Sequence, residues 1–325
     1  MSKLPVGNYA IILTPFTNDD ALDLKGLTAE LEYAVAQKLQ GVVVLGSNGE
    51  GPFLTAAEKA AVIKCTGEVC KGKIALVAGS ITMGTRESVE YAHLARSAGF
   101  DSVLSAIPVY FQLDLEDVKR HYSNLARQAG IEITLYHVPD CSGLVLRPEQ
   151  AAEIMAIPGV DSMKLTVMNR EFINRILELS WELDCKVFIG TSLLMFEAMK
   201  LEARGPFCPM CLIAPDEVNA LVKLIGEKKW QEAFDIQEKI RRGGTTLFSG
   251  LDVNYDAIKN GFMAIYNAPF HSALMSHTKA AHHILKEALR LKGIPITNRV
   301  RLPYQSVDEK KSEWIKKVLS DFGWL

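Results

Sequence analysis

Two polar residues lie where neighbouring strands of this sequence should end, and their side chains could perform chemistry. Lys164 comes late in the run VDSMKLTV, and Tyr136 comes late in the preceding run, IEITLYHVP. A lysine is rarely buried without a function, and burial disfavours the ammonium form, which leaves an amine able to attack a carbonyl. A phenol beside such an amine can transfer protons. From the pattern alone, a solvent-facing lysine and a packed core tyrosine remain open alternatives.

A second candidate site is the polar turn GSNGE, which follows the β-rich run GVVVL. Gly46, Ser47 and Asn48 begin this turn. Glycines let a ligand approach the backbone, and exposed N–H groups beside short polar side chains can bind an anion. The glycine spacing, G-x-x-G-x-G, differs from the dinucleotide-binding pattern G-x-G-x-x-G. The alternative is an ordinary turn that leads into a helix capped by Thr55.

The scaffold for these residues is a regular alternation of strands and helices. Short β-branched runs are each followed by a longer amphipathic segment, and eight such units account for residues 1–226. Buried parallel strands covered by helices predict a (β/α)8 TIM barrel, with an open doubly wound sheet as the alternative. In a barrel, the carboxyl ends of the strands meet at one face, where Lys164 and Tyr136 would lie together.

The eighth unit and the C-terminal region depart from this pattern. The last strand would be PFCPMCLIAP, but Pro209 cannot donate to a strand ladder, which predicts an irregular or bulged strand. Residues 227–325 contain only helical patterns, over 229–242, 254–266, 277–293 and 308–320, and predict a helical extension packed on the barrel.

We interpret Cys208 and Cys211 as small packed hydrophobes rather than a redox pair or half of a zinc site.

Composition and charge exclude several classes of partner. The 325 residues have a formal net charge of −2 and a pI near 6.4, so no strong positive field points to nucleic acid. No apolar run reaches the roughly 18 residues needed to span a bilayer. The first strand begins almost at once and leaves no room for a signal peptide, so we expect a cytoplasmic protein with reduced cysteines.

Five stretches resemble the dihydrodipicolinate synthase/N-acetylneuraminate lyase family in order and spacing: LTPF, GVVVLGSNGEGPFLTAAE, VAGS, LYHVP followed by Ser-Gly, and MKLT. The resemblance covers essentially the whole chain, and the GSNGE turn with the ending FGWL looks most like the 4-hydroxy-2-oxoglutarate aldolase branch. It implies a class I pyruvate aldolase in which Lys164 forms the Schiff base. It further implies that Ser47 and Asn48, beside Gly46, hold the pyruvate carboxylate. Neither a metal nor another cofactor is implied.

The resemblance also implies a proton relay of Ser47, Tyr136 and Tyr110. The family's Pro-Tyr-Tyr becomes Pro-Val-Tyr here, which keeps Tyr110. In the family that tyrosine comes from a neighbouring subunit, so we expect a homotetramer built as a dimer of dimers. In the synthase branch an arginine follows the strand-five motif, and Cys141 stands at that position in this chain. A neutral thiol cannot replace a guanidinium that binds a carboxylate.

The residues that contact the distal part of the substrate are therefore expected to differ from those of the synthases. Thr166, two residues after the lysine, and Thr191, at the end of strand seven, are candidates together with Cys141. We expect the substrate to be a 2-oxo acid, either 4-hydroxy-2-oxoglutarate or a 2-keto-3-deoxy sugar acid, cleaved to pyruvate and an aldehyde. The alternatives are a synthase or hydro-lyase resembling dihydrodipicolinate synthase, and a non-catalytic family member that binds a 2-oxo acid.

Overall fold

The computed structural model describes residues 4–249, 259–260, 263–264, 266–267 and 281–325. Within these residues lie eight strands: β1 (Tyr9–Ile11), β2 (Gly41–Val44), β3 (Ala75–Ser80), β4 (Ser102–Ala106), β5 (Glu132–His137), β6 (Val160–Leu165), β7 (Lys186–Ile189) and β8 (Phe207–Cys208). They form one parallel sheet in the order β7-β6-β5-β4-β3-β2-β1-β8. A parallel bridge between Ile189 and Pro206 joins the two ends. The nearly closed sheet confirms the predicted TIM barrel, and the alternative prediction of an open doubly wound sheet is wrong.

Helices follow the strands and cover the outside of the barrel, as the alternating pattern predicts. Their first turns carry the expected capping residues: the Thr55 hydroxyl accepts the N–H of Glu58, and the Glu58 carboxylate accepts the N–H of Thr55. The helices of the barrel region are Leu24–Ala36, Ala56–Cys70, Thr85–Ser97, Leu115–Ala129, Pro139–Ser142, Pro148–Met155, Arg170–Glu182, Met195–Lys200, Met210–Ile213 and Pro215–Gly226.

The side chains of each strand alternate between the barrel interior and the helical layer. Met163 and Leu165 of β6 pack with the helices in the outer core. Tyr136 and Phe188, the register partners of Lys164 on either side, belong to the separate inner cluster. The intervening residue Lys164 therefore points into the barrel, near the carboxyl end of its strand.

The eighth strand is the shortest of the sheet, because a helix begins directly after it. β8 ends at Cys208, and Pro209 then becomes the N-cap of the helix Met210–Ile213. The prediction of an irregular last strand is confirmed, but the predicted extent of ten residues was too long. Cys208 and Cys211 are fully buried free thiols with their Sγ atoms 3.8 Å apart.

The C-terminal region is helical, with Trp230–Ser249, His282–Leu291 and Glu309–Asp321 in the described residues. The first of these helices is tied to the barrel, since the Gln237 amide donates to the Ser192 carbonyl at 2.9 Å and accepts the Phe196 N–H at 3.0 Å. The domain division at residue 226 stays a prediction, and the helix predicted over 254–266 lies mostly outside the described residues. Within the described ranges, none of the helices is long and apolar enough to cross a membrane.

Candidate active site

Lys164 and Tyr136 meet inside the barrel, near the carboxyl ends of β5 and β6. They are register partners in adjacent parallel strands. The Lys164 side chain is 5% exposed, and its Nζ lies 4.3 Å from the centroid of the Tyr136 ring. The amine thus approaches the electron-rich face of the phenol ring. An amine and a phenol this close can act on one bound carbonyl compound, the amine as a nucleophile and the phenol as a proton carrier.

Ser47 and Cys141 lie beside this pair and come from two different loops. The Ser47 side chain and the Lys164 side chain are both close enough to the Cys141 sulfur to influence the pKa of its thiol. Although Cys141 is exposed as a residue, the surrounding atoms desolvate its Sγ and raise the pKa of the thiol, while Ser47 and Lys164 act to lower it. The structure therefore brings Ser47 together with residues of the β5 and β6 region that follow it by about 90 to 120 positions.

The glycines of the turn after β2 serve different purposes. A Cβ on Gly51 would lie 2.2 Å from the Leu45 carbonyl oxygen, and one on Gly49 would lie 2.9 Å from the Ile12 carbonyl oxygen. The fold therefore excludes side chains at both positions. A Cβ on Gly46 would meet only Ile11 Cγ2 among the described atoms, at 4.0 Å. Packing therefore does not require a glycine at position 46. The absence of a side chain there leaves open space at the start of the turn.

The other end of the turn is fixed from outside the barrel. The Asn48 side-chain oxygen accepts the N–H of Ala281 at 3.2 Å, at the start of the helix His282–Leu291. Glu50 is completely buried and paired with Lys286 of that helix. Sequence reasoning missed this contact. The signal was a lysine on the apolar face of the helix HHILKEALRL, matched to a carboxylate in the turn.

Thr166 and Thr191 follow β6 and β7 at the same face of the barrel. The Thr166 Oγ1 is buried without a hydrogen-bond partner among the described residues, and the Thr191 hydroxyl accepts the Leu193 N–H at 3.3 Å. Gly190 lies between them, and its lack of a side chain leaves space for the side chains of Thr166 and Lys164. A Cβ on Gly190 would lie 2.1 Å from Thr166 Oγ1 and 3.1 Å from Lys164 Cε. Sequence reasoning missed Gly190, although its position one residue after β7 was the available signal.

Tyr110 stands apart from the other predicted site residues. Its side chain is 84% exposed, and its backbone has a φ of 88°, which few non-glycine residues adopt. Its ring contacts Phe111, which is 75% exposed, at a centroid distance of 5.1 Å. In the part of the chain that the structure describes, Tyr110 makes no side-chain hydrogen bond to the other site residues. A single copy of the chain therefore presents it to the outside.

A buried amine beside a phenol at the carboxyl end of a closed parallel barrel defines a class of site, and the family comparison agrees with it. Residues 5–265 match the model of the Dihydrodipicolinate synthetase family. The chain belongs to this family. Its members are Schiff-base enzymes that use pyruvate as lyases or synthases, so the protein is a class I pyruvate-utilising enzyme.

Relatives cover almost the entire chain at low identity. A 4-hydroxy-tetrahydrodipicolinate synthase of Methanosphaerula palustris is 27% identical over 318 residues, which span 97% of this chain and 99% of that protein. The crystal structure of dihydrodipicolinate synthase from Thermotoga maritima has a TM-score of 0.83 and 25% identity, covering 99% of this chain and 100% of that one. YagE from E. coli K12, solved in complex with pyruvate, has a TM-score of 0.83 and 20% identity, with 98% and 99% covered. At that identity, YagE supports the fold alone.

Proposed function

We propose that the protein cleaves a 4-hydroxy-2-oxo acid, either 4-hydroxy-2-oxoglutarate or a 2-keto-3-deoxy sugar acid, to pyruvate and an aldehyde. The observation that carries the proposal is the buried contact of the Lys164 amine with the Tyr136 ring, 4.3 Å from its centroid. Lys164 is the Schiff-base residue, and Tyr136 moves protons at the same carbon chain. Membership of a family of Schiff-base enzymes supports this assignment.

The reaction follows from the two side chains. The amine of Lys164 adds to the C2 ketone, and loss of water with uptake of one proton gives a protonated imine. Tyr136 takes the proton of the C4 hydroxyl and passes its own phenolic proton to the proposed relay of Ser47 and Tyr110 while the C3–C4 bond breaks, and the electron pair of that bond flows into the imine. The aldehyde leaves, and an enamine remains on Lys164. Protonation at C3 and addition of water then release pyruvate and restore the amine.

The turn after β2 is the proposed site of the substrate carboxylate. The space above Gly46 lets the carboxylate approach the backbone, and Ser47 and Lys164 both lie near enough to Cys141 to influence the pKa of its thiol. Short polar side chains and N–H groups in a turn bind anions well. Because the side-chain oxygen of Asn48 already accepts the Ala281 N–H, we assign its amide NH2 and backbone N–H to the carboxylate.

The far end of the substrate is assigned to Cys141, Thr166 and Thr191. The unpartnered hydroxyl of Thr166 is available to a substrate hydroxyl, which suits a polyhydroxylated tail.

The second candidate is a dihydrodipicolinate synthase-like reaction, favoured by the names of the relatives. Against it stands Cys141, whose raised pKa keeps the thiol neutral where the resemblance implies an arginine in synthases.

Tyr110 is proposed to complete the proton relay in a neighbouring subunit of a homotetramer. Its exposed ring, next to exposed Phe111, supports a position at a subunit contact. Mixing provides a direct test: oligomers refolded from Lys164→Ala and Tyr110→Ala chains should regain activity. In mixed pairs one site then contains an intact lysine and an intact tyrosine from different chains. No recovery in oligomers verified as mixed would refute the shared site.

The cleavage itself is tested with a substrate panel. The protein is incubated with 4-hydroxy-2-oxoglutarate, with a 2-keto-3-deoxy sugar acid, and with pyruvate plus aspartate semialdehyde, and pyruvate release or consumption is followed by a lactate dehydrogenase assay. We expect pyruvate release from one of the first two, and its loss in Lys164→Ala with the fold intact by circular dichroism. If pyruvate plus aspartate semialdehyde is the one combination that is turned over, the protein is a synthase. An absence of turnover with all three would revive the binding-protein interpretation.

A further inference from the structure

A buried ion pair connects the substrate turn to the C-terminal helix. Lys286 of the helix His282–Leu291 donates to a carboxylate oxygen of Glu50 in a short contact, and both side chains are 0% exposed. The two residues are 236 positions apart in the chain. The pair therefore joins a loop of the barrel to a helix of the C-terminal extension, which lies outside the eight strand–helix units.

Lys286 is held in one geometry by its other contacts. Its Nζ also donates to the Arg299 carbonyl at 2.7 Å and lies 4.2 Å from the centroid of the Phe16 ring. Burial raises the pKa of the second nearby carboxyl, Glu30, to about 8, so that Glu30 is mostly protonated at neutral pH. Glu50 is then the direct partner of Lys286, and its second carboxylate oxygen is held by the Arg301 N–H.

The position of Glu50 determines the shape of the turn. Glu50 has a φ of 55° and a ψ of 23°, a left-handed conformation that a non-glycine residue keeps only when its surroundings enforce it. Its N–H donates to the Ser47 carbonyl at 3.2 Å, and its second carboxylate oxygen accepts the Arg301 N–H at 2.8 Å. A movement of the Glu50 side chain would therefore be transmitted to Ser47.

We propose that Lys286 is a positioning residue for the pyruvate-carboxylate site, acting through Glu50 on Ser47 and Gly46. The Ala281 N–H, which binds the Asn48 side chain, provides a second tie from the start of the same helix. The C-terminal helix is then a working part of the active site, not only a covering layer. This inference rests on the proposed function, because it assigns the turn to the substrate carboxylate.

A purely stabilising pair would behave differently. Buried ion pairs contribute little net stability, because desolvation offsets their attraction, and neutral replacements of both partners are often tolerated. Removal of one partner leaves a buried charge and strongly destabilises the protein. Stability and pyruvate binding can therefore be separated by comparing a single variant with the neutral double variant.

The experiment measures pyruvate capture in four proteins: wild type, Lys286→Met, the double variant Glu50→Gln/Lys286→Met, and Arg290→Met. Each is incubated with increasing pyruvate and sodium cyanoborohydride, and the fraction of reduced adduct is read by intact mass spectrometry. Melting temperatures are measured in parallel. Arg290→Met is the matched control, because it breaks an ion pair with Glu287 on the same helix and none of the Arg290 contacts reaches the turn.

Lys286→Met should melt at a lower temperature and require roughly tenfold to a hundredfold more pyruvate for half-maximal capture. The double variant should recover much of the melting temperature, since no buried carboxylate is left unpaired, but not the pyruvate dependence. The control should capture pyruvate like the wild type.

Wild-type pyruvate dependence in the folded double variant would overturn the positioning role, as would an equal loss in Arg290→Met. If Lys286→Met does not fold, the double variant alone decides. If the wild type itself forms no adduct, it is the proposed function that fails, and that outcome is distinct from failure of the positioning role.

Discussion

Replacement of Gly190 by alanine tests whether the space beside Lys164 is functional. The new methyl group would lie 2.1 Å from Thr166 Oγ1, so the Thr166 side chain must rotate. Contacts of 3.1 Å to Thr166 Cβ and Lys164 Cε would remain, several tenths of an ångström inside the roughly 3.5 Å optimum for carbon pairs. The backbone is not strained by alanine, because Gly190 is not among the residues with positive φ.

Overpacking of this kind costs about 1–3 kcal/mol of folding free energy. A displacement of Lys164 by a few tenths of an ångström should slow imine formation by roughly tenfold, since a 1 Å misplacement can cost about a hundredfold. We therefore expect a lower melting temperature together with slower pyruvate trapping.

The assay is the rate of adduct formation with saturating pyruvate and cyanoborohydride, followed by mass spectrometry. The double variant Gly190→Ala/Thr166→Ala removes the worst overlap but keeps the contact with Lys164 Cε. It should recover most of the stability and only part of the trapping rate. A folded Gly190→Ala protein that traps pyruvate at the wild-type rate would refute the reasoning.

Three further predictions follow from individual contacts. Gly46→Ala should keep or raise the melting temperature, because its methyl meets only Ile11 Cγ2 at 4.0 Å, while the pyruvate needed for half-maximal trapping rises; an unchanged pyruvate dependence would contradict the carboxylate site. Burial raises the pKa of the Cys141 thiol, so iodoacetamide at pH 7.5 should alkylate it more slowly than a peptide thiol, and Cys141→Arg should shift preference towards acidic aldehydes. Burial raises the pKa of Glu30 from 4.5 to about 8, so unfolding releases a proton in this range and stability falls as pH rises from about 4.5 to about 8, by up to about 4–5 kcal/mol. Urea unfolding of Glu30→Gln across this pH range should lack that fall relative to wild type, and parallel pH profiles would exclude a perturbed Glu30.

The barrel was predictable because its signal is repeated and local. Eight apolar runs, each followed by an amphipathic helix, fix the layers, and the position of Lys164 near the end of its run places it at the functional face. Pro209 marked the irregular last strand for the same local reason. The length of that strand was missed, since Pro209 starts a helix instead of interrupting a longer strand.

The parts of the site that were missed depend on contacts between distant residues. The sequence alone does not reveal that Lys286 reaches Glu50, or that Gly190 faces both Thr166 and Lys164. Such partners are set by the packing of elements far apart in the chain, whereas a turn or a strand end is encoded by its neighbours. Tyr110 was predicted from the family resemblance; its side chain is exposed in one chain, and its role in a neighbouring subunit stays a prediction.

The central claim is that Lys164 forms a Schiff base with a 2-oxo acid. The most direct measurement is borohydride reduction in the presence of pyruvate, followed by peptide mass spectrometry, with Lys164→Ala as the control. We predict one stable pyruvyl adduct, on the peptide that contains Lys164, and none in the control protein. An adduct on another lysine, or no adduct in folded protein, would contradict the assignment of this residue as the Schiff-base lysine.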